Sequence, residues 1–449
     1  MQAQTLAAQY DVVVVGGGLV GASFALNLAQ QTKDSGYSIL VVEAVDSKNF
    51  DQQPSFDSRS TALSFGSRQI FETMKLWSAI APLVEPIVEI QVSDRGHFGR
   101  TTLSSAEQGV EALGYVIENR ELGGVLSEAM QASSGVSLLA PAKITRIKPC
   151  QSGMELTVAR DEHLTRLSAK LVVLADGGRS SICKNLGIDQ TQTDYGQHAI
   201  ITNVAFEKPH SGIAFERFTE SGPLAVLPLA DFQGSNRGSL VWTVSESSRE
   251  ELLSCDEEIF RSRLTQYFGE RLGRILQIGQ RVAYPLSLTL AREQIRPGLV
   301  LLGNVAHTLH PVAGQGLNLA LRDSAALVRQ LVSAKAQGVS PGEMKILQAY
   351  LELQNQDQSE SVLFTDQTVK LFSNDQWTQR AIRKLGLLGL ERTICAQQVC
   401  SKRYGAEALT GLSPAESLNF ALASRGCSRC VFCWHRGRCS PAWTPNARG

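Results

Sequence analysis

A glycine-rich segment near the amino terminus has the residue types and the spacing of a dinucleotide-binding loop. Residues 16–21 read GGGLVG and so contain the pattern G-x-G-x-x-G. In such a loop Gly16 permits a tight turn, Gly18 lets backbone amides approach a pyrophosphate, and Gly21 lets a helix pack closely on a strand. Glu43, 22 residues after Gly21, carries a carboxylate that can accept hydrogen bonds from the ribose hydroxyls of an adenosine. These residues predict the binding of an adenine dinucleotide with an unphosphorylated ribose.

A second glycine-rich loop lies within residues 298–323, which read GLVLLGNVAHTLHPVAGQGLNLALRD. Gly314 and Gly316, close to Pro311, let the backbone approach a flat or anionic ligand, with amide groups and the positive end of a helix dipole aimed at it. The alternative is an ordinary strand-to-helix connection with a glycine turn. We favour a ligand cradle because the chain also carries the first glycine loop.

Two histidines in this second loop, His307 and His310, are candidates for acid–base chemistry. An imidazole can exchange a proton near neutral pH and can therefore act as the base that deprotonates a phenol. Histidines near a loop are more often structural, so proton transfer is the weaker of the two interpretations. Neither interpretation requires a metal site.

The elements that position these loops follow the order of a nucleotide-binding fold. Apolar and β-branched runs predict strands at residues 12–15, 38–42, 171–174 and 299–302, and helical periodicity predicts helices at residues 22–29 and after Leu317. The strand at 171–174 leads into Asp176 and Gly177, in a turn that we expect on the same side of the sheet as the first glycine loop. An Asp-Gly turn by itself is commonplace, so its meaning depends on this placement.

Two arginines are candidates for contact with an anionic ligand. Arg59 precedes a helix predicted near residues 67–76 and could reach a cofactor or a substrate, although an arginine there is more often part of a surface ion pair. Arg120 lies in the first turn of a helix that Asn119 is predicted to cap. A cation at that end opposes the helix dipole, which favours an anionic partner; a solvent-exposed side chain is the alternative.

The middle of the chain predicts an antiparallel sheet inserted into the nucleotide-binding fold. Residues 199–244 alternate in polarity between Gly, Pro and Asn turns. Such an insertion can form an apolar wall of a substrate pocket, or its side chains can simply fill a core. The predicted domains are a first nucleotide-binding part at 10–190, the antiparallel-sheet substrate domain at 191–280, a second nucleotide-binding part at 281–340, a helical region at 341–424 and a disordered basic tail at 425–449.

Composition excludes several other classes of protein. The 449 residues are 43% hydrophobic and 19% charged, with 43 basic and 43 acidic side chains, so no nucleic-acid partner is predicted. No apolar run approaches the roughly 20 residues needed to span a bilayer, and residues 1–9 lack the features of a secretory signal. The expected location is the cytoplasm.

The carboxyl-terminal tail needs separate treatment because four cysteines crowd into it. Cys427, Cys430, Cys433 and Cys439 loosely match the spacing of an iron–sulfur run, and His435 could supplement a zinc site. The third cysteine gap differs from the usual spacing, and helical periodicity does not continue there. We therefore expect a disordered tail or an altered reading frame, with no metal.

Three segments together resemble a known enzyme class. The glycine loop with Glu43, the Asp176-Gly177 turn and the second glycine loop recur in this order in single-component FAD-dependent aromatic hydroxylases. Within that class the chain resembles the ubiquinone-biosynthesis hydroxylases, in particular those that act on 2-octaprenyl-6-methoxyphenol. The similarity covers roughly residues 10–390 and is close in the segments FDSRSTAL, VSDRGHFG, AFERFTESGPLAVLPL and GNVAHTLHPVAGQGLNLALRD, the last of which is highly specific.

The resemblance implies a role for each candidate residue. The fold would be α/β, with a Rossmann-like FAD-binding fold interrupted by the antiparallel-sheet substrate domain and followed by C-terminal helices. Asn304 stands where many relatives have an aspartate that faces the ribityl chain; its amide can still form a hydrogen bond there. The other implied FAD contacts are Gly16, Gly18, Gly21, Glu43, Arg59, Arg120, Asp176, Gly177, Pro311, Gly314, Gly316 and Asn318.

The resemblance also implies the chemistry and the partners. NAD(P)H would reduce the flavin, O2 would form a C4a-hydroperoxide, and the ring of a polyprenylated methoxyphenol would be hydroxylated. The prenyl tail implies peripheral contact with the inner face of the membrane, and a biosynthetic complex is a further expected partner. Two alternatives stay open: a flavin hydroxylase of another small aromatic substrate, and a non-catalytic FAD-binding scaffold subunit of such a complex.

Overall fold

The structure is a computed structural model that describes residues 7–33, 36–46, 59–95, 100–178, 180–310 and 314–372. The described strands, in chain order, are β1 (Gln9–Val15), β2 (Ile39–Val42), β3 (Ser60–Ser64), β4 (Glu85–Ile87), β5 (Glu89–Asp94), β6 (Arg100–Ser104), β7 (Gly114–Glu118), β8 (Val136–Leu139), β9 (Lys143–Cys150), β10 (Gly153–Arg160), β11 (His163–Leu174), β12 (Gln190–Phe206), β13 (Ile213–Thr219), β14 (Gly222–Phe232), β15 (Ser235–Ser245), β16 (Ile275–Ile278), β17 (Val282–Ala291), β18 (Ile295–Arg296), β19 (Leu299–Leu301) and β20 (His307–Thr308). The described α-helices are α1 (Leu19–Gln31), α2 (Phe65–Thr73), α3 (Trp77–Ile80), α4 (Asn119–Ala132), α5 (Ser181–Asn185), α6 (Glu246–Ser254), α7 (Glu257–Phe268), α8 (Gln315–Ala336) and α9 (Met344–Phe372).

The first sheet is the nucleotide-binding sheet that the strand pattern predicts. Its order is β18-β19-β11-β1-β2-β8, and β9 and β10 extend it as a meander paired with β11. The central pairs β19–β11, β11–β1, β1–β2 and β2–β8 are all parallel. Because parallel strands place their carboxyl ends at one edge, Glu43 after β2 and Asp176 after β11 come to the same edge as the glycine loop after β1.

Alternating side chains of β1 pack on opposite faces of this sheet. Val12 and Val14 pack in the core that contains residues of α1, α4, α8 and α9, whereas Val13 and Val15 pack against residues of β9 and β10. All four are at most 5% exposed. This continuous burial explains the unbroken β-branched run, since a parallel strand covered on both faces has no polar side.

The second sheet has nine strands and is larger than the predicted insertion at 191–280. Its order is β20-β17-β12-β15-β14-β13-β5-β6, with β16 also paired to β12. The β13–β5 pair is parallel and the remaining pairs are antiparallel. Strands β5, β6, β17 and β20 lie outside the predicted insertion, so the sheet is mixed and is shared with the flanking sequence. The α/β class itself is confirmed.

The carboxyl-terminal helix of the described part is α9 (Met344–Phe372), which lies within the helical region predicted at 341–424. Among the described residues, no helix combines the length and the apolar character needed to cross a bilayer. The rest of the predicted helical region and the cysteine-rich tail, including the four cysteines and His435, lie outside the described residues.

Candidate active site

A cavity of about 820 Å³ lies between the carboxyl edge of the first sheet and one face of the second. At the first sheet its lining includes Gly16, Gly18, Glu43, Asp176 and Gly177. On the other side it is lined by residues of β12, β13, β14 and β15. The structure therefore brings the two halves of the sequence prediction, the nucleotide loops and the inserted sheet, to one site.

The first glycine loop is packed so closely that side chains are excluded. Gly16 has φ +100°, and a Cβ there would lie 2.6 Å from the carbonyl oxygen of Ala175. A Cβ on Gly21 would lie 1.9 Å from the carbonyl oxygen of Gly16. Gly21 does not line the cavity. Because it has no side chain, α1 can approach the loop closely. The helix begins at Leu19 with no side chain capping it, which leaves its first turn suited to an anion.

Glu43 is held against this loop by two backbone amides. Its Oε2 accepts a hydrogen bond from Gly17 N at 2.6 Å, and its Oε1 accepts one from Val45 N at 2.9 Å. The carboxylate thereby fixes the glycine loop as well as lining the cavity. Its predicted contact with a ribose remains a prediction.

The turn after β11 supplies a second carboxyl at the same edge. Burial raises the pKa of Asp176 and the negative charge of Glu43 adds to this, while a hydrogen bond donated by Ser180 Oγ at 2.7 Å opposes them. Gly177 faces open space, since a Cβ there would meet no atom within 4 Å. The raised pKa shows that burial, and to a smaller extent the neighbouring Glu43, disfavours the negative charge on Asp176.

The second glycine loop delivers the amino-terminal end of α8 to the cavity. Gly314 occupies the N-cap with φ +60°, a left-handed conformation that favours glycine, and no side chain caps the helix. The first turn carries no acidic residue, and a Cβ on Gly316 would meet nothing within 4 Å. The positive end of a 22-residue helix therefore faces the cavity beside Asn304, which also lines it. Pro311 lies outside the described residues.

Asn318 borders the cavity, and its amide is fully engaged with the protein. Its Oδ1 accepts hydrogen bonds from Ser64 N at 2.8 Å and Ser67 Oγ at 2.7 Å. Its Nδ2 donates to the carbonyl oxygens of Ala62 and Gly314, both at 2.8 Å. The side chain therefore links β3, α2 and the start of α8 by hydrogen bonds. It holds these elements together at the border of the predicted flavin site.

The two candidate histidines have different surroundings. His307 does not line the cavity; its Nε2 lies 2.6 Å from Asp323 Oδ2, and both side chains are at most 2% exposed. His310 lines the cavity and lies edge-on to the ring of Tyr195. Burial lowers the pKa of His310 to about 4, so its imidazole is neutral at physiological pH. His307 lacks the position expected of a phenol-deprotonating base, and His310 lacks the basicity.

The structure separates the two candidate arginines. Arg59 lines the cavity, with its guanidinium 4.7 Å from the ring centroid of Tyr284. Arg120 is about half exposed and lies 3.8 Å from Glu121; it is not part of the cavity lining. Asn119 is not the N-cap of α4, a position taken by Glu118, because its Oδ1 accepts a hydrogen bond from Thr61 Oγ1 at 2.6 Å.

The sheet side of the cavity is mostly apolar, with the hydroxyl-bearing Thr243 and one carboxyl that the sequence reasoning missed. Ile201, Ala225 and Val241 line it beside Glu216 of β13. Burial raises the pKa of Glu216 to about 7. The available signal was the alternation in AFERF, because Ala214 and Phe218 are buried on either side of this acid at a spacing of two. Lys143 and Asn119 also line the cavity and were likewise not predicted to do so.

These features fit an adenine dinucleotide that ends in a flat ring. The glycine loop excludes side chains where a pyrophosphate must approach, and the start of α8 presents open glycine backbone. Among the described residues, no group of three or more His, Cys, Asp or Glu side chains is placed to hold a metal ion.

Comparisons with known proteins agree with this fit. The FAD binding domain family matches residues 9–350. The chain is 36% identical over 383 residues to ubiquinone hydroxylase UbiL of Rhodospirillum rubrum, covering 85% of this chain and 86% of that protein. It is 31% identical over 385 residues to the 3-demethoxyubiquinol 3-hydroxylase of Escherichia coli, covering 85% and 95%.

Solved structures share the fold. The p-nitrophenol 4-monooxygenase PnpA of Pseudomonas putida superposes with a TM-score of 0.70 at 19% identity, covering 87% of this chain and 98% of that one. The anhydrotetracycline hydroxylase OxyS of Streptomyces rimosus gives a TM-score of 0.64 at 20% identity, covering 87% and 75%. With the family match and the relatives above 30% identity, the chain belongs to the FAD-dependent monooxygenase family that includes the ubiquinone-biosynthesis hydroxylases, and its cofactor is FAD.

Proposed function

We propose that this protein hydroxylates the ring of a polyprenylated methoxyphenol in ubiquinone biosynthesis, with NAD(P)H and O2 as co-substrates. The carrying observation is the two-sided cavity, which has nucleotide loops at one sheet edge and an apolar sheet face opposite. An apolar wall suits a prenylated ring better than it suits a small aromatic acid, which would need a cationic partner on that wall. The names of the relatives, a ubiquinone hydroxylase and a 3-demethoxyubiquinol 3-hydroxylase, support the same substrate class.

In this proposal the described residues divide into those that hold the cofactor and those that shape its surroundings. The loop around Gly16 and Gly18, with α1 behind it, would hold the pyrophosphate, and Glu43 would lie at the adenosine end. Asn304 and Gly316 would border the flavin. Bound FAD would supply the redox chemistry, in which NAD(P)H provides two electrons and one atom of O2 is added to the ring while the other leaves as water.

The protein's contribution to the reaction is electrostatic and steric. The amino-terminal end of α8 would stabilise negative charge at the cavity, because its dipole and its uncapped amides point there. The aliphatic side chains Ile201, Val241 and Leu227 would exclude water from the reacting ring. His310, neutral at physiological pH, would add a polar group without a charge.

Contact with a membrane belongs to the same proposal, since a polyprenyl tail partitions into lipid. Large apolar side chains on the surface, including Phe232, Leu353 and Leu363, are each more than half exposed. The experiment is flotation of the FAD-loaded protein with anionic liposomes, and absence of any bound fraction would contradict peripheral contact.

The test of the catalytic proposal is substrate-stimulated turnover. Purified FAD-loaded protein is mixed with NADPH, O2 and 2-methoxy-6-prenylphenol, and both NADPH oxidation and hydroxylated product are measured. We expect the phenol to accelerate NADPH oxidation and to be converted with it. Stimulation only by small aromatic acids would favour another flavin hydroxylase, and tightly bound FAD with no stimulated turnover would favour a scaffold subunit.

A further inference from the structure

Glu216 occupies one position in a row of side chains that crosses the second sheet. Its Cα pairs with Ala225 of β14, Ala225 pairs with Val241 of β15, and Val241 pairs with Ile201 of β12. Residues paired in register across a sheet lie on the same face. All four line the cavity, so the row presents three aliphatic side chains and one carboxyl to the bound substrate.

The carboxyl of Glu216 has no hydrogen-bond or ion-pair partner among the described residues, whereas the other two acids of the cavity lining do. Glu43 is held by two backbone amides and Asp176 accepts a hydrogen bond from Ser180. Glu216 is only partly buried and faces the cavity, so a ligand that fills the cavity removes water from its carboxyl, which is destabilising unless a ligand group meets it. Its position therefore indicates a polar contact with the substrate, at the mostly apolar side of the cavity.

No neighbouring charge compensates Glu216. On β5 the ionisable residues are Glu89 and Asp94, on β14 the ionisable residue is Asp231, and Val92 and Ala225 stand directly beside Glu216 in the sheet. The other described ionisable groups of the cavity lining are Glu43, Arg59, Lys143, Asp176 and His310. Burial alone raises the pKa of Glu216 to about 7, so the carboxyl is a substantial fraction ionised at neutral pH.

We propose that Glu216 is the catalytic residue that takes the proton from the ring hydroxyl of the phenol substrate. This inference rests on the proposed function. A Glu216 carboxylate oxygen forms the new O–H bond, the phenol O–H bond breaks, and its electron pair stays on the phenol oxygen. The phenolate is more electron-rich at the ring carbon that accepts the oxygen atom, and the proton passes to water before the next turnover.

The acidity of the two groups suits this transfer. A phenol hydroxyl has a pKa of about 10. A carboxylate whose conjugate acid has a pKa of about 7 accepts that proton more readily than an ordinary glutamate does, and it is still partly ionised at neutral pH. The same argument disfavours His310, since a base with a pKa of about 4 is far weaker.

The test compares wild-type protein with Glu216→Gln, both loaded with FAD, on 2-methoxy-6-prenylphenol between pH 5.5 and pH 9. We expect kcat/KM of the wild type to rise with pH through an apparent pKa near 7. In Glu216→Gln that rise should vanish and kcat/KM should fall by roughly 10²-fold or more. Glu220→Gln, which removes a largely exposed carboxyl one residue beyond the end of β13, is the control and should keep the wild-type profile.

A second substrate separates proton transfer from a structural effect. A ring-fluorinated analogue whose hydroxyl is already ionised at the assay pH needs no base, so Glu216→Gln should convert it at a rate within a few-fold of wild type. A purely structural role would reduce turnover of both phenols equally. If Glu216→Gln retains too little FAD, Glu216→Asp replaces it and should keep the pH-dependent rise with a lower rate.

The outcomes distinguish the inference from the proposed function. Conversion of the phenol by wild type, with an unchanged pH profile and rate in Glu216→Gln, overturns the role of Glu216 alone. Equal losses on the two phenols overturn it as well. Absence of phenol conversion by the wild type overturns the proposed substrate and this inference together.

Discussion

The side-chain oxygen of Asn318 accepts a hydrogen bond from the backbone amide of Ser64 at 2.8 Å, and so ties the start of α8 to the start of α2. The two residues are 254 positions apart in the chain. The side-chain amide of Asn318 forms three further hydrogen bonds, each at 2.7 or 2.8 Å. The end of α8 that faces the cavity is therefore fixed by a buried amide with both polar atoms satisfied.

Replacing Asn318 should loosen this junction. Asn318→Ala removes the hydrogen-bond partner of partly buried backbone groups of Ala62 and Ser64, so we expect the free energy of unfolding to fall by ~2–4 kcal/mol. Asn318→Asp should be nearly as harmful, because a carboxylate oxygen would face two carbonyl oxygens. Chemical denaturation of FAD-loaded protein measures this. The control is Asn236→Ala, which removes a partly buried amide whose hydrogen bond to the carbonyl oxygen of Phe206 is long, at 3.4 Å. A loss no larger than that of the control would contradict the assigned role.

Gly21 should tolerate no side chain. A Cβ would lie 1.9 Å from the carbonyl oxygen of Gly16, so Gly21→Ala must push α1 away from the loop and should abolish tight FAD binding. Gly124 is the matched control, since it is also in a helix and a Cβ there meets nothing within 4 Å. Gly124→Ala should retain FAD and gain up to ~1 kcal/mol of stability. The flavin-to-protein absorbance ratio measures retention, and a yellow Gly21→Ala protein would refute the packing argument.

The two candidate arginines should differ in their effect on FAD binding. Arg59 lines the cavity and Arg120 does not, so Arg59→Met should raise the Kd for FAD roughly tenfold, or ~1.4 kcal/mol. Arg120→Met should change the Kd by less than about twofold, because an exposed arginine contributes little. Quenching of FAD fluorescence on titration with apoprotein gives both constants. Equal losses would support the sequence interpretation, which put both arginines along the cofactor.

Glu216 should make stability depend on pH. Its pKa is about 7 in the folded protein against an ordinary 4.5, so the folded state binds more protons, and stability falls as pH rises from about 4.5 to 7. Glu216→Gln removes this penalty. Its free energy of unfolding should match wild type near pH 4.5 and exceed it by up to ~3 kcal/mol above pH 7. Denaturation of FAD-loaded proteins at pH 5 and pH 8 measures the difference, and a variant less stable at pH 8 would contradict it.

The parallel core of the fold follows from local sequence, because its strands are buried on both faces and carry unbroken apolar runs. The prediction of residues 12–15 and 171–174 as strands agrees with β1 and with the end of β11. The glycine pattern and Glu43 could also be recognised from local sequence, because the whole pattern lies within about 30 consecutive residues. The extent of the second sheet was not predictable, because β5 joins β13 across more than 100 residues.

Long-range partners also explain the errors within the site. Asn119 follows the local rule for a helix cap, but Thr61, 58 residues away, engages its side chain. Residues 60–64 form β3, a strand that the sequence analysis did not predict, because they pair with β7. The sequence did not identify Glu216 as a cavity residue. Its position in the cavity wall depends on pairing with β14 and, through it, β15, and the sequence of one strand does not show which strands pair with it.

The central claim is that the protein transfers one oxygen atom from O2 to the ring of a prenylated methoxyphenol. The most direct measurement is mass spectrometry of the product after incubation of FAD-loaded protein with NADPH, 18O2 and 2-methoxy-6-prenylphenol. We predict a product that carries one labelled oxygen atom. NADPH oxidation that yields only labelled hydrogen peroxide, with the phenol unchanged, would contradict the assigned substrate.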